Sequence, residues 1–352
     1  MISQIKAAKR ANRNYHIHQQ YPYTIKSIRV VSLKLTLLKE VKIMLFKNNT
    51  YRAFGLTIVS YMYLPELEQV RIMQDEEVHV KVIAGDLTYV WEEESTTESS
   101  FVIKESRILF HMPNVAKFSI TNGKEIIISP FEEACEDQIR LFLLGTCMGA
   151  ILFQRKILPL HGSAIAIDGK AYAIVGDSGA GKSTTASALL KRGYPLISDD
   201  VIPITINSNN IPVVTPAYPQ QKLWKESLTQ FGMESEGLRP IVNRESKFAI
   251  PVHHQFEQDV LPLAGIFELV KYDGQINEIV PIDNLKRFLT LFYNTYRNFF
   301  IEPSGLMNWH FQMSAKIISK IEFYQIKRPI SIFTAHNVAE QILNKVKEVQ
   351  KV

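Results

Sequence analysis

The chain has 352 residues, 46% of them hydrophobic, enough for two or three globular domains with ordinary cores. Its formal charge of +5 is uneven: residues 1–48 hold ten Lys or Arg and one acid, Glu40, leaving 30 basic and 34 acidic residues for the rest. That mildly acidic body is not one that wraps nucleic acid. The longest strongly apolar run, Phe142–Phe153, is about 12 residues, too short to span a bilayer, and residues 1–20 lack the apolar centre of a secretory signal.

In chain order, residues 1–43 form a basic extension with no domain signature. A tail that docks on an acidic partner, a transit-like segment, and an extension ahead of a true start at Met44 all fit it. The composition break near Met44 favours the last. Residues 44–128 read as a β-rich N-terminal domain. Val78, Val80 and Val82 alternate with polar residues, and Asn122-Gly123 joins two alternating runs as a hairpin. Glu92–Ser100 reads as a solvated acidic loop. Ser129-Pro130 opens a connecting helix over 129–157, with Pro at its first position and Glu132 and Glu133 in its first turn. Cys135 and Cys147 fall in this helix, about 18 Å apart, too far for a disulfide. A reducing, cytoplasmic compartment is the plain reading.

Residues 158–352 form the second domain, of α/β class. Ser163–Ile167 and Ala171–Val175 flank Asp168-Gly169, so an antiparallel strand immediately precedes a glycine-rich loop. In that loop, Gly176-Asp177-Ser178-Gly179-Ala180-Gly181-Lys182-Ser183 fits the phosphate-binding pattern G-x-x-x-x-G-K-[ST] at every fixed position, between an apolar strand and a helix beginning at Thr184. Glycines let backbone N–H groups turn inward around an anionic phosphate. Lys182 supplies a cation to the β- and γ-phosphates, and the Ser183 hydroxyl can ligate Mg2+. The helix N-terminus adds partial positive charge. The short strand Pro195–Ser198 runs into Asp199-Asp200, which places both acids at a strand end beside the loop. A turn or helix cap is the other use of such a pair.

Further on, a helical segment is expected around Leu223-Trp224. Arg239, Arg244 and Lys247 lie on a stretch that is either a solvated face or a phosphate contact. A third hairpin is expected at Asp273-Gly274, then helices near 284–299, 304–320 and 337–349. His253-His254 has no matching ligand spacing and reads as structural.

His161, the hairpin, the Gly176–Ser183 run, Lys191-Arg192-Gly193 and Asp199-Asp200 together resemble the kinase domain of HPr kinase/phosphorylase. The spacing of 21 from His161 to Lys182 and of 18 from Lys182 to Asp200 matches that family. The resemblance implies an HPr-kinase-type P-loop domain that uses ATP and Mg2+. By position it makes Asp200 the general base for a serine hydroxyl, His161 a second polar residue of the site, Lys182 and Ser183 the phosphate and Mg2+ residues, and Asp199 a metal-side acid. Two departures stand against reversible action on HPr: the family's metal glutamate falls near Lys225, and its Gly-rich signature is absent from residues 203–260.

The layout also resembles the HPr-kinase-like proteins of lasso peptide gene clusters, through Tyr51-Arg52-Ala53-Phe54-Gly55-Leu56, Pro216–Trp224 and Asn294-Thr295-Tyr296-Arg297. That resemblance implies phosphorylation of a C-terminal serine on a precursor peptide. The expected partner is therefore a peptide or small protein with an acceptor serine, with no nucleic acid and no membrane; a homo-oligomer is compatible with the sequence. An NTPase or switch is a second reading, without the N-K-x-D motif of a GTPase. A nucleotide-binding sensor is a third.

Overall fold

The computed structural model describes residues 49–350, apart from residues 74, 97–98, 242–243 and 331. The basic extension 1–43 lies outside the described residues.

Eight short strands form the first sheet: β1 (Thr50–Ala53), β2 (Leu56–Ser60), β3 (Glu68–Gln69), β4 (Val80–Ala84), β5 (Phe101–Ile103), β6 (Arg107–Met112), β7 (Ala116–Thr121) and β8 (Glu125–Pro130), in the order β3-β1-β2-β4-β8-β7-β6-β5. Asn122 and Gly123 sit at φ 54° and 63°, and Lys124 N–H closes the turn on Thr121 O at 3.1 Å. Both residues tolerate positive φ, which matches the twist of the flanking strands. The inward residues, among them Phe110, Phe118 and Ile126, pack on Ile151, Leu152 and Phe153 of the following helical segment.

That segment begins later than Ser129. Ser129 and Pro130 are the end of β8, paired with Lys117 and Ala116, and helix runs over Glu136–Phe142, a π-helical turn Leu143–Cys147, and Met148–Gln154. The alternation of β8 buries Ile126 and Ile128, and strand pairing outweighs the proline start signal. Glu92–Ser100 is likewise only partly loop, because Thr88–Glu94 is helical. Cys135 and Cys147 are both free, the first exposed and the second buried.

The second sheet holds β9 (Leu158–Ile167), β10 (Lys170–Gly176), β11 (Leu196–Ile206), β12 (Pro212–Val214), β16 (Leu261–Tyr272), β17 (Glu278–Pro281) and β18 (Glu322–Pro329). A smaller sheet is formed by β13 (Gln220–Trp224), β14 (Arg239–Ile241) and β15 (Arg244–Pro251). β9 lies antiparallel between β10 and β11, while β10, β16 and β18 run parallel. One face of this sheet packs on the helices Lys182–Leu190 and Ala335–Gln350 through Leu189, Val338 and Ile342. The other packs on Asn284–Tyr293 and Met307–Ile318 through Leu291, Met313 and Ile317. The result is a three-layer α/β arrangement.

Three expectations change here. β11 does not stop at Ser198: the length of β9 gives it a partner as far as Leu158, so Asp199 and Asp200 lie within a strand of 11 residues. Leu223 and Trp224 are on strand β13, paired with Phe248 and Lys247, with helix starting only at Lys225. β16 and β17 do not pair with each other, because β18 lies between them and takes β17 as its antiparallel edge. A turn signal such as Asp273-Gly274 marks a reversal without naming the strand it pairs with.

Candidate functional site

The loop after β10 begins at Gly176, where φ is 134° and a Cβ would lie 2.4 Å from Leu269 O. No side chain fits there, which is why a glycine ends the strand. The Gly176 N–H donates to Asn294 Oδ1 at 2.7 Å. Gly179 and Gly181 also take positive φ, and helix starts at Lys182. The Lys182 ammonium donates to Gly176 O at 2.7 Å and Asp177 O at 3.0 Å, and burial lowers its pKa. The helix ends at Leu190, and Gly193, in the left-handed region, carries the chain out of it.

Ser183, Asp199 and Asp200 meet beside the loop. Asp199 Oδ1 accepts from Ser183 Oγ at 2.9 Å and from Ser163 Oγ at 2.6 Å, and its Oδ2 accepts from the Lys222 N–H at 2.8 Å. Asp199 is thus buried with three neutral donors. Asp200 has different company. Its Oδ2 pairs with Lys222 Nζ at 2.6 Å and its Oδ1 lies 3.5 Å from His161 Nδ1. Burial pushes the Asp200 carboxyl up, but Lys222 and His161 outweigh it and hold the carboxyl well below its usual range. Burial likewise pulls Lys222 down, and Asp200 reverses this, so the ammonium stays charged. His161 is held low by burial, against the opposing pull of Asp200, and is mostly neutral near pH 7.

The Asp200 backbone sits at φ 79°, uncommon for a non-glycine residue. Its carbonyl faces His161 Nδ1 at 3.1 Å, a contact in which the ring N–H donates. The segment after the helix Asn284–Tyr293 fixes this corner: His161 N–H donates to Asn294 O at 2.7 Å, and Tyr296 N–H to Pro159 O at 2.8 Å. The Tyr296 ring lies 5.7 Å from the His161 ring.

His161, Lys182, Ser183, Asp199, Asp200, Lys222 and Tyr296 line one cleft of about 540 Å3. Its lining also includes Arg328, bonded to the loop carbonyls of Ala180 and Gly179, together with Phe333, Phe142, Thr146 and Arg297. Every candidate taken from the sequence between His161 and Asp200 borders the cleft or the loop that forms it, including Ser178 and Thr184, whose hydroxyl meets Ser227 Oγ at 2.9 Å. Lys247 also lines the cleft, over the Trp224 ring at 5.5 Å. Arg239 does not. It pairs with Glu66 and Asp137, joining β14 to the N-terminal part of the described chain.

Lys222 is the residue that sequence reasoning missed. Read as a strand, Gln220–Trp224 puts Lys222 and Trp224 on one face two residues apart, and both border the cleft. Reading that stretch as helix hid the pattern.

Ser183 Oγ and Asp199 Oδ1 form a hard-oxygen pair suited to Mg2+, which takes one or two protein ligands together with substrate phosphates and waters. Among the described residues no group of three or more His, Cys, Asp or Glu is arranged to hold a metal. No helix among the described residues is long and apolar enough to cross a membrane.

Residues 155–223 match the family described as HPr Serine kinase C-terminal domain. The chain is similar to the HPr kinase/phosphorylase of Mycoplasmopsis pulmonis, 38% identical over 68 residues, which are 19% of this chain and 22% of that protein. It is 33% identical to the HPr kinase/phosphorylase of Lactobacillus gasseri over 101 residues, 26% of this chain and 32% of that one. These matches span about a fifth to a third of the length of the relatives. The Hpr(Ser) kinase/phosphatase from Coxiella burnetii superposes with a TM-score of 0.30 and 18% identity, over 55% of this chain and 95% of that one.

Proposed function

We propose that this protein is an ATP-dependent serine kinase that transfers the γ-phosphoryl group to a peptide or small protein. The observation that carries this reading is one cleft holding the Gly176–Ser183 loop, the Ser183–Asp199 oxygen pair and the Asp200 carboxylate. The matched stretch 155–223 contains all of them, which supports a reading in the HPr kinase manner.

In this mechanism the loop N–H groups and Lys182 bind the β- and γ-phosphates. Ser183 and Asp199 would hold Mg2+, which would neutralise charge on the phosphates. Phosphoryl transfer of this kind is mostly positioning and charge stabilisation. Asp200 accepts the serine proton, and with a loose transition state that transfer comes late, so a weakly basic carboxylate suffices. Lys222 and His161 fix the orientation of Asp200. The finer reading, a C-terminal serine on a lasso-type precursor peptide, draws its support from the Pro216–Trp224 and Asn294–Arg297 segments that carried the resemblance.

The second reading, an NTPase or sensor without a peptide acceptor, is favoured by the Lys222–Asp200 ion pair, which takes basicity from Asp200. Transfer of labelled γ-phosphate separates them. Label on peptide serine is expected from the native protein, none from Lys182→Ala, and a kcat lowered on the order of 10²–10⁴ from Asp200→Asn with ATP binding kept. Asp199→Asn should raise the Mg2+ concentration needed. Label released only as inorganic phosphate would give the reading to the NTPase.

A further inference from the structure

We infer that Arg297 is a carboxylate-binding residue of the acceptor end of the cleft, reading a carboxylate that the phosphate-accepting peptide carries close to its serine. This rests on the kinase reading above and adds a recognition element to it.

The first observation is what surrounds the guanidinium. Arg297 lines the cleft and is half-buried. One of its terminal nitrogens donates to Thr146 Oγ1 at 3.0 Å, and its charge lies 5.8 Å from the Tyr296 ring centre and 5.9 Å from that of Phe299. Among the described residues no carboxylate lies within ion-pair distance of it. Of the other cleft cations, Lys182, Lys222 and Arg328 are committed to loop carbonyls, to Asp200, and to the carbonyls of Gly179 and Ala180, and Lys247 lies over the Trp224 ring at 5.5 Å. An arginine has five N–H donors in a planar fork, and one of them bonds to a described residue here. Two rings hold the fork in place, so little side-chain freedom remains to be lost when it pairs with a carboxylate.

The second observation is how firmly the backbone sets that fork. Arg297 sits at φ 54°, in the left-handed region that an ordinary residue seldom adopts. The preceding residues are bonded onto β9, with Leu160 and Thr295 forming a bridge and Tyr296 N–H on Pro159 O. The Tyr296 ring lies against the two glycines of the opposing helical segment: a Cβ on Gly149 would be 2.8 Å from Cδ1 of the ring, and one on Gly145 would be 2.9 Å from its hydroxyl. Thr146, which receives the Arg297 bond, belongs to the π-helical turn Leu143–Cys147, and such turns recur at functional sites.

The third observation is position. Contacts link Ser183 to Asp199, the adjacent Asp200 to His161, His161 to Tyr296, and Tyr296 to Arg297, and all six residues line the cleft. In-line transfer brings the acceptor oxygen to the γ-phosphorus from the side opposite the leaving phosphate. The acceptor chain therefore lies past Asp200, against Tyr296 and Arg297. A free carboxylate at the peptide terminus and an acidic side chain next to the serine offer the same chemistry there.

The test uses the full chain and three short acetylated peptides of one sequence: one ending in Ser with a free carboxylate, its C-terminal amide, and an amide with Asp beside the Ser. Binding is followed by calorimetry in the presence of ADP and Mg2+, so that it does not depend on turnover. The native protein should bind a carboxylate peptide at least tenfold more tightly than the neutral amide, and whichever acidic peptide it prefers identifies the source of the carboxylate. Arg297→Gln should bring that ratio close to one through loss of carboxylate affinity, with ADP affinity unchanged, and Arg297→Lys should keep part of it. Equal affinity of the native protein for acidic and neutral peptides, no binding of either, or a ratio that survives in a folded Arg297→Gln protein overturns the inference. Discrimination without any phosphate transfer would keep Arg297 as the carboxylate reader and sink the kinase reading alone.

Discussion

Asp199 and Asp200 are adjacent in sequence and differ in what they touch. Asp199 accepts two hydroxyls and one N–H, all neutral, which leaves its charge available to a cation at Ser183. Asp200 faces an ammonium at 2.6 Å, and that contact decides its titration. Burial is the largest influence on the Asp200 carboxyl and pushes it upward; Lys222 is the largest of those opposing it. Replacing Lys222 by Met removes the largest opposing influence and keeps most of the volume, so burial is opposed only by the weaker pull of His161 and Lys247 and the Asp200 pKa rises. A carboxylate must be ionised to accept a proton. Activity in the native protein should therefore show no acid limb from Asp200 in the ordinary carboxylate range. In Lys222→Met, kcat should fall as pH drops through the raised pKa, at least one unit above the native limb. A kcat–pH profile of the two proteins checks this, and superimposable acid limbs would mean that Lys222 does not set the state of Asp200.

The helical segment from Glu136 to Gln154 does two jobs, packing the first sheet on one side and cradling Tyr296 on the other. Gly149 makes the second possible. Alanine at an interior helical position gains about 1 kcal/mol over glycine, while forcing a methyl into a filled space costs roughly 1–3 kcal/mol. A Cβ 2.8 Å from the Tyr296 ring has to displace it, so overpacking should win. Gly149→Ala is expected to lower Tm by a few degrees and to weaken acceptor binding more than ATP binding; a raised Tm would show that the ring moves aside freely. None of this could be read from the chain alone, since Gly145 and Gly149 meet Tyr296 only across about 150 residues. What could be read was local. The loop Gly176–Ser183 and the hairpin at Asp168-Gly169 are written in consecutive residues whose backbone angles demand glycine. The acid pair was found through its spacing, but its setting was not: a strand of β11's length depends on β9 as partner. Lys222 was hidden for the same reason, because its meaning comes from Asp200, and Arg297, named in the sequence only within Asn294–Arg297, takes its setting from Thr146, distant in sequence.

Across the whole molecule, the sheet carries the phosphate loop between helices on one side and rests on the helices Asn284–Tyr293 and Met307–Ile318 on the other, where a titratable group is buried. His310 is 4% exposed, against the Phe292 ring at 5.6 Å, and its Nε2 lies 2.9 Å from Thr295 Oγ1. That hydroxyl already donates to Leu291 O at 2.6 Å, so Nε2 carries the proton and Thr295 accepts it. Burial pulls the His310 pKa down to about 4, from 6.5 in an unfolded chain. The sign follows from proton counts. Between pH 6.5 and 4 the unfolded chain binds a proton here and the folded one does not, so stability is fully present above about 6.5 and is lost as pH falls towards 4. The full difference is roughly 3 kcal/mol, a large part of a typical net stability of about 5–15 kcal/mol. His161 and His111, also held low by burial, act in the same direction. The depressed carboxyls of Asp137 and Asp200 act at lower pH, because their stabilisation is lost only as pH falls below the ordinary carboxylate range. Denaturant unfolding between pH 7.5 and 5 therefore isolates the histidines. His310→Gln keeps a donor for Thr295 and removes the titration, so the slope of stability against pH should flatten by about half or more in that window. An unchanged slope would mean that His310 reaches a proton without unfolding. Because Thr295 bridges to Leu160 next to His161, loosening at His310 should reach the cleft as well, and acceptor affinity in the native protein should fall along with stability below about pH 6.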